Sequence, residues 1–232
     1  MKKRISTLIA IFSVITIFGL VAFGVFTNIK EQMAVDHSKL PQKVETSKGF
    51  QKWITNLKNK DLDVNGDDFR LKEENEIYNT KWIKVYSMDE PGVPEELDRM
   101  LLQSRDQDMI VFSPSDKEFI DYSNKPRDGY LATEVRLYGL REDKVIDARL
   151  LDCSAKANCY FDRAYFLDND TFVISEISRN IEENPEMFIP CAPNEECDYT
   201  FKVHVIDLKK NKRWIYESKP FAAIMDLVLP EL

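Results

Sequence analysis

Glycine is scarce in this chain, 7 residues of 232, and histidine scarcer still at 2. Few glycines exclude a phosphate-cradling glycine loop, and none is found. There is no H-E-x-x-H, no serine-centred elbow and no C-x-x-C, so the usual zinc-protease, hydrolase and dithiol-exchange motifs are missing. Basic residues are also in deficit, 32 against 40 acidic ones. Setting aside Lys2, Lys3, Arg4 and Lys30, which flank the first segment, leaves the remainder at about −12. Nucleic acid and anionic headgroups both reward clustered Lys and Arg, so neither is an expected partner of that remainder.

What is present begins with a long apolar run. Ile5 to Phe26 follows Met1-Lys2-Lys3-Arg4 without a charge. About 22 residues at roughly 1.5 Å each give about 33 Å of helix, enough for a hydrocarbon core of about 30 Å. The basic flank stays cytoplasmic under the positive-inside bias, which predicts export of everything from about Asn28 onward. A cleaved secretory signal competes, with Ala22-Phe23-Gly24 as its small-residue site, but its apolar region is normally about 7–15 residues. The length favours a retained single-pass anchor in the cell membrane. The expected organisation is therefore anchor 1–27, polar juxtamembrane linker 28–48, and one extracytoplasmic domain 49–232. Aromatics at 11% and about 180 residues are enough for a proper core.

Four cysteines fall in two pairs of equal spacing, Cys153/Cys159 and Cys191/Cys197, each C-x5-C. An even count in an exported chain points to disulfides. Three connectivities are open; local bridges would each close a short loop between strands and contribute about 2 kcal/mol. A four-thiolate zinc site is disfavoured because its pairs are normally C-x2-4-C.

Most of the domain reads as β. Short runs rich in β-branched and aromatic residues recur at 81–86, 109–112, 133–138, 144–151, 160–167, 171–177, 201–206 and 212–216, bounded by turns such as Asp168-Asn169-Asp170. Short turns between successive strands predict antiparallel pairing. Two helices interrupt them. Phe50, Trp53, Ile54 and Leu57 share one helical face, and Pro94-Glu95-Glu96 starts a second helix that carries Leu97, Met100 and Leu101.

An internal repeat runs through the strands. Val135-Arg-Leu-Tyr-Gly-Leu aligns with Val203-His-Val-Ile-Asp-Leu at an offset of 68 positions, and Phe112–Ile120 corresponds to Phe166–Ile174 as an upstream hairpin. Each unit resembles a blade of a β-propeller of the WD40 or TolB-like kind, over roughly 109–151 and 162–218. Closure of a propeller takes about 4–8 blades. With two units, the resemblance implies an antiparallel β-sandwich, or a partial, propeller-like pair of sheets, with the two helices on an edge or face.

Three further places attract a functional reading. Asp63, Asn65, Asp67 and Glu74 stand at positions one, three, five and twelve of a loop resembling an EF-hand or dockerin calcium site. Asp68 replaces its sixth-position glycine and Arg70 its eighth-position apolar residue, and an acidic turn before a strand explains the same letters. No cofactor other than this calcium ion is expected. Met187, Phe188 and Ile189 lie in the acidic 182–198 segment and suit a partner contact or closure onto the core. His204 alternates with valines and reads as an outward-facing strand residue.

The sequence thus predicts a membrane-anchored, non-enzymatic, β-rich module that binds a protein or surface ligand. A cell-envelope hydrolase using carboxylates, or a subunit of a membrane-associated assembly, are the alternatives.

Overall fold

The computed structural model describes residues 36–77, 82–123, 125–127, 130–153, 158–179 and 190–229. The apolar segment 5–26 and Met187, Phe188 and Ile189 lie outside them. Among the described residues no helix is long and apolar enough to cross a membrane. The chain divides into two units, Met1–Ser38 and Lys39–Leu232. Of the first, only a short turn is described, in which Asp36 accepts from the backbone and hydroxyl of Ser38.

The second unit is mainly β: two antiparallel sheets and a few short helices. Its strands are β1 (Arg70–Glu76), β2 (Ile83–Ser87), β3 (Ile110–Phe112), β4 (Glu118–Asp121), β5 (Lys125–Arg127), β6 (Tyr130–Ala132), β7 (Glu134–Arg141), β8 (Lys144–Asp152), β9 (Cys159–Phe166), β10 (Thr171–Ser178), β11 (Glu196–Asp207), β12 (Lys212–Glu217) and β13 (Phe221–Ile224). The helices are α1 (Gln42–Glu45), α2 (Lys48–Lys58), α3 (Val93–Ser104) and α4 (Met225–Val228). One sheet has the order β1-β12-β11-β10-β9, with β13 pairing the first residues of β11; the other has the order β2-β8-β7-β4-β3. A separate β5–β6 hairpin is inserted between β4 and β7.

Both sheets follow one plan. Four strands run as an antiparallel meander, and a strand from earlier in the chain adds beside the last of them: β2 on β8, β1 on β12. Side chains alternate across each strand, so every sheet has two faces to satisfy. One face of the β9–β12 sheet meets the other sheet in a shared core, where Phe172, Ile174 and Ile206 lie with Ile120, Leu137 and Ala148. Its opposite face carries Val173, Ile177, Phe201 and Val203 and is closed by α2, whose Phe50, Trp53 and Leu57 are each about 1% exposed. The expected helical face is thus the buried one. Ser47 caps that helix by accepting from the Phe50 backbone N–H. Burial reaches upstream as well, because Leu40 and Val44 of residues 39–48 join this core.

A β-bulge tunes the packing of α2. Register between β9 and β10 slips across Phe161 and Arg163, leaving Asp162 without an opposite residue. A bulged residue can be re-aimed. Here it receives the Trp53 indole N–H at 2.6 Å. Burial of Asp162 raises its pKa, and the bond from Trp53 works against that rise.

The sheets are also locked at one end by Arg141 of β7. Its guanidinium donates to both carboxylate oxygens of Glu118 (2.6 and 3.1 Å), and to Asp170 (2.7 Å) and the Asn169 carbonyl (2.8 Å) in the β9–β10 turn. Gly139, two residues earlier, has φ +146°, and a Cβ there would sit 2.3 Å from the Glu118 Cα. Only glycine lets the β4 backbone come this close.

Trp53→Phe should keep most of the ring packing but strand the Asp162 carboxyl. The urea midpoint should fall by the equivalent of about 1–3 kcal/mol at unchanged slope. Adding Asp162→Leu should recover part of the loss; no recovery would show that the hydrogen bond is not what was removed.

Candidate functional site

Two concavities stand out, one on each face of the β2-β8-β7-β4-β3 sheet. The first is a groove of about 540 Å³ between α3 and the outer face of that sheet. Alternation in β4 and β7 sends Ile120, Val135 and Leu137 inward and leaves Phe119, Asp121, Arg136 and Tyr138 on the outer face. Tyr86 from β2 and Asp147 from β8 join them. Helix α3 covers this face loosely: Leu97 is its one fully buried apolar residue, and Leu102 is 69% exposed. The groove's cation is already occupied. Arg136 donates to Asp147 at 2.5 Å and to Glu134 at 3.3 Å. Glu96 and Asp121 add further negative charge to the lining. Partial burial, then the carboxylates of Glu96 and Asp147, push the Tyr138 phenol above its ordinary pKa. The floor is aromatic, with the Phe119 and Tyr138 ring centroids 5.7 Å apart and Phe112 5.3 Å behind Phe119.

The second is a polar cleft of about 180 Å³ between the two sheets. Register fixes its chemistry: Lys202 lies opposite Glu176 and Glu217, and His204 opposite Ile215. All of them share the face that looks toward the other sheet. His204 is therefore an inward residue, 3% exposed, not the outward one that Val-His-Val alternation suggests. Both faces of β11 are covered between Val203 and Asp207, so every residue there is buried and alternation carries no information. Glu176, 4% exposed, takes the His204 Nε2 at 2.8 Å and the Lys202 ammonium at 3.5 Å. The His204 Nδ1 is buried with no partner. Burial holds the imidazole below its usual pKa, against the pull of the Glu176 carboxylate. Burial alone would raise Glu176, but the His204 hydrogen bond and the nearby positive charge outweigh it and keep the carboxylate ionised far below its normal range. Nε2 then carries the proton that Glu176 accepts.

Both cysteine pairs are bridged locally, Cys153–Cys159 and Cys191–Cys197, and the described chain holds no free cysteine. The two loops are knitted by Asn158. Its side-chain nitrogen donates to the Cys191 carbonyl, and its side-chain oxygen accepts from the Cys191 N–H, each at 2.8 Å. Cys153 lines the polar cleft. Among the described residues, one group of His, Cys, Asp or Glu brings its donor atoms within 4.8 Å of one another: Cys153, Cys159 and Glu176.

The loop compared with calcium sites is placed otherwise. Asn65 caps a 3-10 turn over Gly66–Asp68, accepting from Asp67 N while Asp68 accepts from Asn65 N. Asp63 is exposed, Asp67 pairs with Lys39 at 3.4 Å, and Glu74 lies on β1 in an ion pair with Lys212. Asp63, Asp67 and Glu74 are not among the described donors that lie within 4.8 Å of one another. No family model, curated protein or solved structure matches this chain.

Both members of the buried pair have folded pKa values below their unfolded ones, so each stabilises the fold above its unfolded value and withdraws that stability on acidification. For His204 the loss begins below about 6.5, for Glu176 below about 4.5. The unfolding midpoint should therefore decline from about pH 6.5 downward, by at most about 1.4 kcal/mol per unit for the single proton. His204→Gln should flatten that upper window; an unchanged slope would assign it to other groups.

Proposed function

We propose that this protein is an exported, membrane-tethered binding module, not an enzyme, and that it takes a basic, partly apolar peptide segment of another protein in the groove beside α3. The tether is the apolar segment 5–26, and the pair of blade-like sheets is the scaffold that carries the groove. The observation that supports the reading is the groove's chemistry. Tyr86, Phe119 and Tyr138 give aromatic faces, and Glu96, Asp121 and Asp147 line the groove beside a single lining cation, Arg136; Asp147 is shared with that guanidinium and Glu96 with Arg99 on the helix. Aromatic faces bordered by carboxylates suit Lys or Arg side chains followed by an apolar one. A net acidic chain favours a basic partner and speeds its encounter.

The test is fluorescence titration of the full chain in detergent against short synthetic peptides that differ only in charge. Basic, apolar peptides should bind and acidic ones should not, with affinity falling as salt rises. Tyr138→Ala should weaken binding about tenfold, near the upper range of a cation–π contact. Asp121→Asn should lower it less and flatten the salt dependence. Equal binding of acidic and basic peptides, or indifference to both substitutions, would retire the groove as the contact.

A further inference from the structure

Net charge argues against a contact with anionic headgroups, but the charge of this domain is not evenly spread. Residues 39–60 hold Lys39, Lys43, Lys48, Lys52, Lys58 and Lys60 against one acid, Glu45. Residues 61–76 reverse the sign, with seven acids against Arg70 and Lys72. Folding then sorts the lysines. Lys39 pairs with Asp67, and Lys60 donates to the Val228 carbonyl. Lys48 and Lys52 share an exposed stripe of α2 with Thr55 and Asn59, on the side opposite the buried Phe50, Trp53, Ile54 and Leu57. Arg163 of β9 joins that stripe in lining an open depression of about 490 Å³, and no acidic side chain lines it. Among the described residues none of Lys48, Lys52, Lys58 and Arg163 has an ion pair, and the Arg163 Nε is buried without a hydrogen-bond partner. The neighbouring acids are engaged elsewhere: the Glu45 carboxylate packs over Gly66, and Asp162 accepts from Trp53.

We infer that this outer face of α2, with Arg163, is the surface on which the domain rests against anionic phospholipid headgroups of its own membrane. The inference rests on the tethered reading given above. Two observations favour a bilayer over an acidic protein. The face opens the folded unit: 12 residues separate Phe26 from Lys39, so even a fully extended tether keeps Lys39 within roughly 45 Å of the bilayer. The stripe also offers charge without an apolar anchor, since every large apolar side chain of α2 is turned into the core. Protein partners take hold through buried aromatic groups, whereas a headgroup surface rewards lysines alone, by about fivefold each. The same surface repels the acidic remainder of the domain, so charge sets the orientation as well. Helix α2 and the groove beside α3 lie on opposite outer faces of the two-sheet stack, so resting on α2 points the groove away from the membrane.

The test places the full chain in vesicles of phosphatidylcholine alone, or of phosphatidylcholine and phosphatidylglycerol in equal parts. A donor dye at Thr55→Cys, on the basic stripe, or at Leu102→Cys, on α3, transfers energy to a dye on the headgroups. In the mixed vesicles the Thr55 donor should transfer strongly and the Leu102 donor weakly. High salt, or omission of phosphatidylglycerol, should remove that difference. Lys48→Gln, Lys52→Gln and Lys58→Gln together change only exposed side chains, so the thermal midpoint should hold. They should lower the docked population about a hundredfold and equalise the two donors. Equal transfer from both donors in the mixed vesicles, or a difference that survives either the triple variant or neutral lipid, overturns the proposal. A polyglutamate peptide that shields the Thr55 donor where the mixed vesicles do not would assign the face to an acidic protein instead. Flotation separates a failed tether from a failed face. A chain that floats with neutral vesicles at high salt has its tether, whatever its face does. For a chain that does not, flotation with the mixed vesicles that the triple variant abolishes still supports the face, and no flotation with either overturns it. The peptide titration of the groove contains no lipid charge, so its failure leaves this result untouched.

Discussion

Strand β10 has no solvent face, and much of the molecule follows from that. All eight residues from Thr171 to Ser178 are buried. A strand covered on one side needs only alternation, but one covered on both needs two different partners. Helix α2 with α4 supplies the first and the second sheet supplies the other. Double burial also removes water as a partner for any polar group on the strand. Ser175 therefore exchanges hydrogen bonds with the Arg163 backbone, and Glu176 is held by His204 and Lys202. An unpaired carboxylate at such a position would cost several kcal/mol, so the pair is a requirement of the layer order and not an ornament on it.

The same layer order explains why early strands finish the sheets. Each meander ends on an edge, β8 or β12, whose open N–H and C=O groups would otherwise invite another chain. Strands β2 and β1, made before the meanders they close, cover those edges. These are long-range pairings, and β1 to β12 spans more than half of the described chain. Arg141 then ties the end of one meander to the first turn of the next through Glu118 and Asp170. Buried Glu118 is pushed upward by desolvation and drawn back by that guanidinium, which marks the contact as a structural clamp.

What was legible in the sequence was local. Phe50, Trp53, Ile54 and Leu57 predicted α2 and its buried face, Pro94 with its acids predicted α3, and nearly every strand of the two meanders was visible from β-branched runs and turns. Equal cysteine spacing predicted both bridges. The failures share one cause, dependence on distant chain. Val-His-Val looked half exposed because alternation assumes one wet face, and β11 has none there. The pairing of β1 with β12 leaves no local trace, nor does the β13 addition, whose four residues are too short to show a period. The groove draws on β2, β4, β7, β8 and α3, so no window of sequence contains it. Asp162 shows the same limit in miniature: the bulge that turns it to Trp53 is set by registration against β10, not by its neighbours.

The two concavities sit on opposite faces of one sheet and answer to different forces. Strand β8 contributes Val145 and Asp147 to the groove near its start and Leu151 and Asp152 to the cleft at its end. Helix α3 buries little apolar surface, which places it at the low-stability end of the fold, where movement costs least. A ligand in the groove, as proposed, would therefore act on a helix that the core scarcely depends on. The cleft is the reverse case. Glu176, Lys202, His204 and Arg213 lie there on the paired strands β10, β11 and β12, so a change of protonation is felt as a change in strand stability. The proposed contact thus lies where the fold can yield, and the ionisable pair where it cannot. The apolar residues that join the two sheets, Ile120, Leu137 and Ala148 with Phe172, Ile174 and Ile206, face away from the groove, so a partner bound there as proposed would leave that core untouched.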